Sequence, residues 1–258
     1  MTSPQIIPIW PMDAPSLIRG TYWSHRLGLP LLDHPGETNQ PMLAVNGERL
    51  ELRHGSSRQR GVYVEFSLHK ARMIQRQEGK NGLLTRAIGL RKHPSPTVWD
   101  ATAGLGQDGF FLACQGCQVR LFERSPIIAA LLEDGLSRGL VDHETQPVIE
   151  QRMILSQTDA AAAMHNPPYP FPADVIYLDP MFTKPNATAL SKKEMQLLRL
   201  LVGNDDDAPT LLATAIACQP RRVVVKRPLK ASPLGERPPH FSIQGTTIRY
   251  DVYLPEMM

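Results

Sequence analysis

The sequence predicts an α/β fold: a doubly wound, mostly parallel sheet finished by an antiparallel hairpin, with a small α+β cap ahead of it. Three observations carry this expectation. From Thr97 onward, short apolar runs alternate with helical stretches. A glycine-rich turn follows the first of those runs, and two strand-like segments flank Gly245 with no helix between them. At 258 residues the chain is long enough for one such domain and an appendage, and its 42% hydrophobic and 21% charged residues are ordinary globular values.

Taken in order, Gln5 to Trp10 and Met42 to Val45 read as short strands, with a helix from Ala14 to Leu27 between them. Leu50 to Arg53 and Val62 to Phe66 are two more short apolar runs, so residues 1–66 form the expected cap. Residues 67–96 form a basic helical connector. In it His69, Arg72, Arg76 and Lys80 recur at helical spacing, and Leu83 to Leu90 follows after a glycine break. The main domain, 97–258, has strands at Thr97 to Asp100, Val119 to Glu123, Arg152 to Leu155, Asp174 to Asp179 and Arg222 to Lys226. Its helices fall at Gly106 to Cys114, Pro126 to Arg138, Leu190 to Leu201 and Leu211 to Cys218, and its closing hairpin pairs Phe241 to Gln244 with Thr247 to Tyr253.

The chemistry concentrates at the ends of these strands. Gly104, Gly106 and Gly109 fit G-x-G-x-x-G directly after a strand that ends in Asp100, and Glu123 closes the next strand. This is how an α/β sheet holds an adenosine-containing cofactor: the glycines admit the ligand to the backbone and the second acid accepts from ribose hydroxyls. Nicotinamide enzymes share that pattern. A second motif, Asp179-Pro180-Met181-Phe182, follows the apolar strand Val175 to Leu178. A carboxylate, a proline and an aromatic at a sheet's mouth suit methyl transfer to an exocyclic amine, so the two motifs together predict a Rossmann-like, S-adenosylmethionine (SAM)-dependent methyltransferase sheet.

Each residue then has an expected role. Asp100 orders the glycine turn and receives the methionine amino group, with Gln107 and Asp108 beside it. Glu123 takes the ribose, Arg124 borders the adenine, and Asp159 either meets the adenine amino group or caps a helix that begins at Ala160. Asp179 accepts the N–H bonds of an amine whose lone pair is delocalised into a base ring, and holds that lone pair toward the methyl group. With a reference carboxylate pKa of about 3.9, Asp179 does not deprotonate the amine first; the proton leaves after transfer. Pro180 shapes the turn, and Phe182 offers a face on which an unstacked base can lie.

Charge points to the partner. Between Arg53 and His93, ten Lys or Arg face Glu65 and Glu78, a local charge of +8 in a chain whose formal total is +3. A polyanion is expected there, contacted by Arg72, Arg76 and Lys80, and Lys226 and Arg227 are expected to meet phosphates flanking the target nucleotide. Lys184, Lys192 and Lys193 follow the Asp179 loop as lesser candidates. Cys114 and Cys117 form a C-x-x-C, but the sequence holds no second pair to complete a zinc site, and they read as packing residues; no metal is expected. Three cysteines, no signal-peptide pattern and no long apolar run lead us to expect a cytoplasmic protein.

These motifs, in one order from about Leu50 to Tyr253, resemble the bacterial small-subunit ribosomal RNA methyltransferase J family. The likeness also rests on Leu50-Glu51-Leu52-Arg53, Leu121-Phe122-Glu123-Arg124, the run from Ala129 to Leu136, Lys192-Lys193-Glu194-Met195 and the run from Val223 to Pro228. The resemblance implies guanine-N2 methylation of 16S rRNA with SAM, and cofactor contacts at Gln107, Asp108, Glu123, Arg124, Asp159, Ala160 and Asp179. Gln107 stands where that family leads one to expect Arg, and Asp159 where it leads one to expect a small hydroxyl residue. Two other readings of the residues remain: a nicotinamide oxidoreductase, and a catalytically silent RNA-binding protein on the same fold.

Overall fold

The computed structural model describes residues 7–34, 40–55, 61–78, 82–165, 173–180, 197–198 and 206–255, with the side chains of 76–78 outside that set. A three-stranded sheet opens the chain: β1 (Ile9–Pro11) runs parallel to β2 (Pro41–Asn46), which pairs antiparallel with β3 (Arg49–His54). Helix α1 (Leu17–Leu27) packs on it and stops at Gly28, whose φ of 65° is the left-handed cap that glycine supplies without strain. Beyond β3, Val62 makes only an isolated bridge to Leu52, so the expected strand from Val62 to Phe66 is reduced to one paired residue. Helices α2 (Leu68–Glu78) and α3 (Leu83–Ile88) lead into the main sheet.

That sheet has seven strands among the described residues: β4 (Thr97–Asp100), β5 (Gln118–Glu123), β6 (Met153–Gln157), β7 (Val175–Leu178), β8 (Arg222–Pro228), β9 (Phe241–Gln244) and β10 (Ile248–Tyr253). Their order is β6-β5-β4-β7-β8-β10-β9, parallel up to β8 and antiparallel through β10 and β9. The strands expected for 97–258 are all present, to within two residues at their ends.

Helices α4 (Gln107–Cys114), α5 (Pro126–Val141) and α6 (Gln146–Arg152) bury apolar residues with α3 and the small sheet in one core. Helices α7 (Ala160–His165) and α8 (Ala208–Ala217) build a second core with Trp99, Phe122, Ile176 and Val223. Alternation along β4 explains the division, since neighbouring strand residues point to opposite faces: Val98 enters the first core and Trp99 the second. Of the helix expected from Leu190 to Leu201, only Leu197 and Leu198 lie within the described residues, and they are helical.

The cap is not a loose appendage. The buried Asp134 of α5 accepts from Arg19 of α1 at 2.6 Å and from Arg138 at 3.0 Å, and Arg138 also bonds the Val64 carbonyl. At Gly135 the backbone of α5 comes so close to Val64 that an added Cβ would lie 2.4 Å from its Cγ1.

Candidate active site

A cavity of about 850 Å³ lies at the carboxyl ends of β4, β5 and β7, on the side where strand order reverses and doubly wound sheets bind ligands. Asp100, Gly104, Gly106, Gln107, Asp108, Glu123, Arg124, Asp159, Ala160, Asp179, Pro180 and Lys226 all line it.

The glycine turn makes the floor. Gly104 and Gly106 have φ of 53° and 71°, a region that strains any residue with a Cβ. A Cβ on Gly106 would come 2.6 Å from Leu132, whereas one on Gly104 would meet nothing nearer than the Thr102 carbonyl at 3.9 Å. Gly109 lets α4 sit against the sheet, since a Cβ there would lie 2.5 Å from Leu121. Glu123, 8% exposed, accepts from Gly104 N at 3.0 Å and from Ser125 N at 2.7 Å. These two backbone bonds fix the carboxylate at the cavity wall, where an anionic acceptor suits a ribose diol.

Opposite lies a cluster of acids around one lysine. Tyr177 and Asp179 are two residues apart, hence on one side of the β7 line, and Val224 of β8 is the registered neighbour of Tyr177. Lys226, two residues on from Val224, therefore arrives beside Asp179. Its Nζ donates to Asp179 Oδ2 and to Asp108 Oδ2, each at 2.8 Å. Tyr177 donates its hydroxyl to Asp108 Oδ2 at 2.6 Å, and Asp179 N donates to Thr102 Oγ1 at 2.6 Å. Burial works against the charge on Asp108, but the Lys226 ammonium and the Tyr177 hydroxyl hold its pKa below the usual range. Lys226 is itself disfavoured by burial, yet Asp179 and Asp108 lift its pKa well above normal. Asp100, 2% exposed, goes the other way: burial and the negative charge of Asp108 push its pKa well up, against a bond from Thr102 N.

Several expectations need correction. Lys226 is not presented to phosphates but is engaged with two carboxylates inside the cavity. Arg227 points to the other face of β8, is 7% exposed, and donates to the Ser232 carbonyl at 2.5 Å, so it is not a surface contact for RNA. Arg53, counted in the basic segment, is buried and bound to Glu51 at 2.9 Å, which lowers that segment's effective charge. Asp159 lines the cavity while its Oδ1 accepts from Ala162 N at 2.9 Å, so the capping alternative describes its bonding. Arg124 is ion-paired with Asp207 at the rim. Phe182, Lys80, Lys184, Lys192 and Lys193, and the side chain of Arg76, lie outside the described residues.

The connector contributes in a way its charges do not reveal. The side of α2 that lines the cavity carries Lys70, Ala71 and Ile74, and the exposed His69 and Arg72 lie away from it on the helix. Gly61, Tyr63 and Glu65 add a wall from the cap side, and the Glu65 carbonyl accepts from Gln107 at 3.4 Å. Glu51 holds this wall, bonding Gly61 N at 3.2 Å. Tyr177 and Thr102 are site residues that the motifs alone do not name; their signal is the two-residue spacing to Asp179 and Asp100. Burial raises the Cys114 and Cys117 thiols to about 11 and about 12, which leaves them inert at neutral pH. Among the described residues no group of three or more His, Cys, Asp or Glu is placed to hold a metal ion. No described helix is long and apolar enough to cross a membrane.

The open side of Gly104, the pinned Glu123 and the acids at Asp100 and Asp108 suit a cofactor with a ribose diol at one end and an amine at the other, as SAM has. Comparison with known proteins agrees. Residues 23–255 match the family model described as "Putative SAM-dependent methyltransferase". A ribosomal RNA small subunit methyltransferase J from Nitrosococcus oceani is 48% identical over 236 residues, covering 89% of this chain and 91% of that protein. A protein of the same name from Pseudomonas syringae pv. tomato is 42% identical over 238 residues, covering 90% and 85%. A solved SAM-dependent methyltransferase from Neisseria gonorrhoeae superposes with a TM-score of 0.76 at 34% identity, covering 96% of each chain.

Proposed function

This chain belongs to the ribosomal RNA small subunit methyltransferase J family of SAM-dependent methyltransferases, and on that premise we propose that it methylates the exocyclic N2 amine of a guanosine in small-subunit (16S) ribosomal RNA. The observation that carries this reading is the Asp179 carboxylate, which borders the cavity with its backbone N–H on Thr102. A hydrogen-bond acceptor fixed there is what an aromatic amine needs to become a nucleophile.

When bound, SAM supplies an electrophilic methyl group on a sulfonium centre. Glu123 would take the ribose hydroxyls, and the acids around Asp100 and Asp108 would receive the amino group of the methionine end. Asp179 accepts an N–H from the target amine and holds the nitrogen lone pair toward the methyl carbon. Positive charge developing on the nitrogen during transfer would lie beside this carboxylate, which would stabilise it. Asp179 then takes the proton that the alkylated amine sheds and passes it to water. Pro180, buried and lining the cavity next to Asp179, keeps the turn rigid, and Phe182 gives the everted base a stacking face. Arg72, Arg76 and Lys80 engage RNA phosphates. A ribosomal RNA substrate implies work in the cytoplasm.

The nicotinamide reading falls with the family assignment. The silent-binder reading is decided by the same experiment as the proposal: incubation with methyl-labelled SAM and small-subunit rRNA, free or assembled, followed by nucleoside mass mapping. We expect N2-methylguanosine at one position. Label on another base, or none on RNA, would overturn the assignment.

A further inference from the structure

Lys226 stands between two carboxylates that serve different ends of the cavity. Asp108 is in the first turn of α4, beside the glycine turn, and Asp179 is at the acceptor side. Both are 2.8 Å from the same Nζ. The lysine stem lies on β8 in register with Tyr250, itself 4% exposed, and a quarter of the Lys226 side chain remains accessible. A phosphate anchor would be a hydrated ammonium on a mobile stem; this one is fixed by two ion pairs.

In a methyl-transfer site an ammonium near a sulfonium is repulsive unless it is compensated. Here the two aspartates more than compensate it, leaving one net negative charge on the trio. A half-buried ion pair contributes little to stability for its desolvation cost, so what this one provides is geometry. It links α4 to the end of β7 through two charge-assisted bonds, the kind that fixes rotamers most firmly.

We propose that Lys226 is a positioning residue for methyl transfer: by bridging Asp108 and Asp179 it fixes both carboxylates and ties the cofactor end of the cavity to the acceptor end. The cofactor half of this inference stands on SAM binding alone, and only the rate half rests on the RNA reading above.

Among the described residues, the groups that face Asp108 are Asp100 from β4, Tyr177 from β7, Asp179 after it, Lys226 from β8 and, beyond the lysine, Tyr250 from β10. Take away the Lys226 charge, and burial with the nearby acids outweighs the one remaining Tyr177 bond. Asp108 then takes up a proton at a higher pH than in the intact protein, and SAM affinity that depends on its charge is lost from a higher pH downward.

The test compares the wild type with Lys226→Met and Lys226→Arg. Calorimetric titration with SAM across the acid range should show the acid limb of binding displaced upward in Lys226→Met by about one pH unit, roughly tenfold in affinity on that limb. Lys226→Arg, which can still bridge two carboxylates, should restore the wild-type limb. Single-turnover methylation at saturating RNA should fall at least about tenfold in Lys226→Met, with the RNA dissociation constant and its salt dependence unchanged. Should the Met variant not fold, Lys226→Gln, neutral but still a donor, carries the same expectations. An acid limb at the same pH in wild type and neutral variant would overturn the proposal. So would weakened RNA binding with a flattened salt slope and an unchanged saturated rate, the signature of a phosphate anchor. If the wild type transfers no methyl group to rRNA, the substrate reading fails, while the calorimetric comparison, which uses no RNA, still decides Lys226.

Discussion

Tyr177 donates its hydroxyl to Asp108 across 2.6 Å, joining the middle of the main sheet to the first turn of α4. The phenol is 1% exposed, and burial together with the charge of Asp108 keeps it protonated by pushing its pKa well up. The donor is therefore permanent over any working pH, and the acid cluster rests on a fixed floor.

Asp179→Asn keeps the shape and one acceptor oxygen but loses the charge that offsets the developing ammonium. Because that charge belongs to the transition state, the loss should fall on kcat: about 3 kcal/mol, over a hundredfold in rate. Single-turnover methylation beside a SAM titration checks this. Near-normal turnover in a folded variant would move the active site elsewhere.

Glu123→Ala removes the proposed ribose acceptor and the clamp on Gly104 N and Ser125 N. SAM affinity should drop by about 1.5–3 kcal/mol, roughly tenfold to a hundredfold, while RNA affinity holds. Paired calorimetric and filter-binding measurements separate the two, and an unchanged SAM dissociation constant would remove Glu123 from the site.

Asp100 has a folded-state pKa well above its unfolded value. The native protein then binds more protons than the unfolded chain in the interval between the two, so stability falls as pH rises from the unfolded pKa toward the folded one. Asp100→Asn should therefore raise Tm at neutral pH, by about 2–4 °C for each kcal/mol recovered, and the gain should vanish below the unfolded pKa. SAM binding should weaken in the same variant. Thermal melts across the acid range test the sign directly.

Gly135→Ala places a methyl group 2.4 Å from Val64 Cγ1 and 2.5 Å from its Cβ. Overpacking of this kind costs about 1–3 kcal/mol, even though alanine favours the helix itself. Denaturant unfolding should show the loss, and Val64→Ala in the same chain should recover much of it. If it does not, the cap and α5 are not packed as described.

Neutralising Arg72, Arg76 and Lys80 together should weaken RNA binding and reduce the slope of log affinity against log salt by about 0.7 for each lost single-strand phosphate contact. An unaltered slope in the folded triple variant would make these three charges merely solvated ones.

What is legible in the sequence follows from the range of the interactions. The turn at Gly104 and the end of β5 at Glu123 are local features, and the alternation of apolar runs is enough to locate the strands of the main sheet. Helix α6 escapes such a reading because Gln146–Arg152 is short and carries Pro147 at its start, a pattern that fits a loop equally well. Lys226 and Arg227 mislead for a different reason. Adjacent strand residues face opposite sides, and only the register of β8 against β7 shows which one meets Asp179. Arg53 likewise has the pattern of an exposed cation, and only the fold shows that it is buried and paired with Glu51, two residues before it on the same side of β3.

Strand β10 lies between β8 and β9, so a strand made after both its neighbours completes the sheet from inside. Until residues 248–253 have left the ribosome, β8 holds an open edge, and Lys226 lacks the Tyr250 neighbour that backs it. The nascent chain therefore carries the glycine turn and Glu123 well before β8 gains its outer partner. A chain in which residues 248–253 fail to pair likewise keeps the glycine turn and Glu123 but leaves β8 an open edge and Lys226 without its registered neighbour.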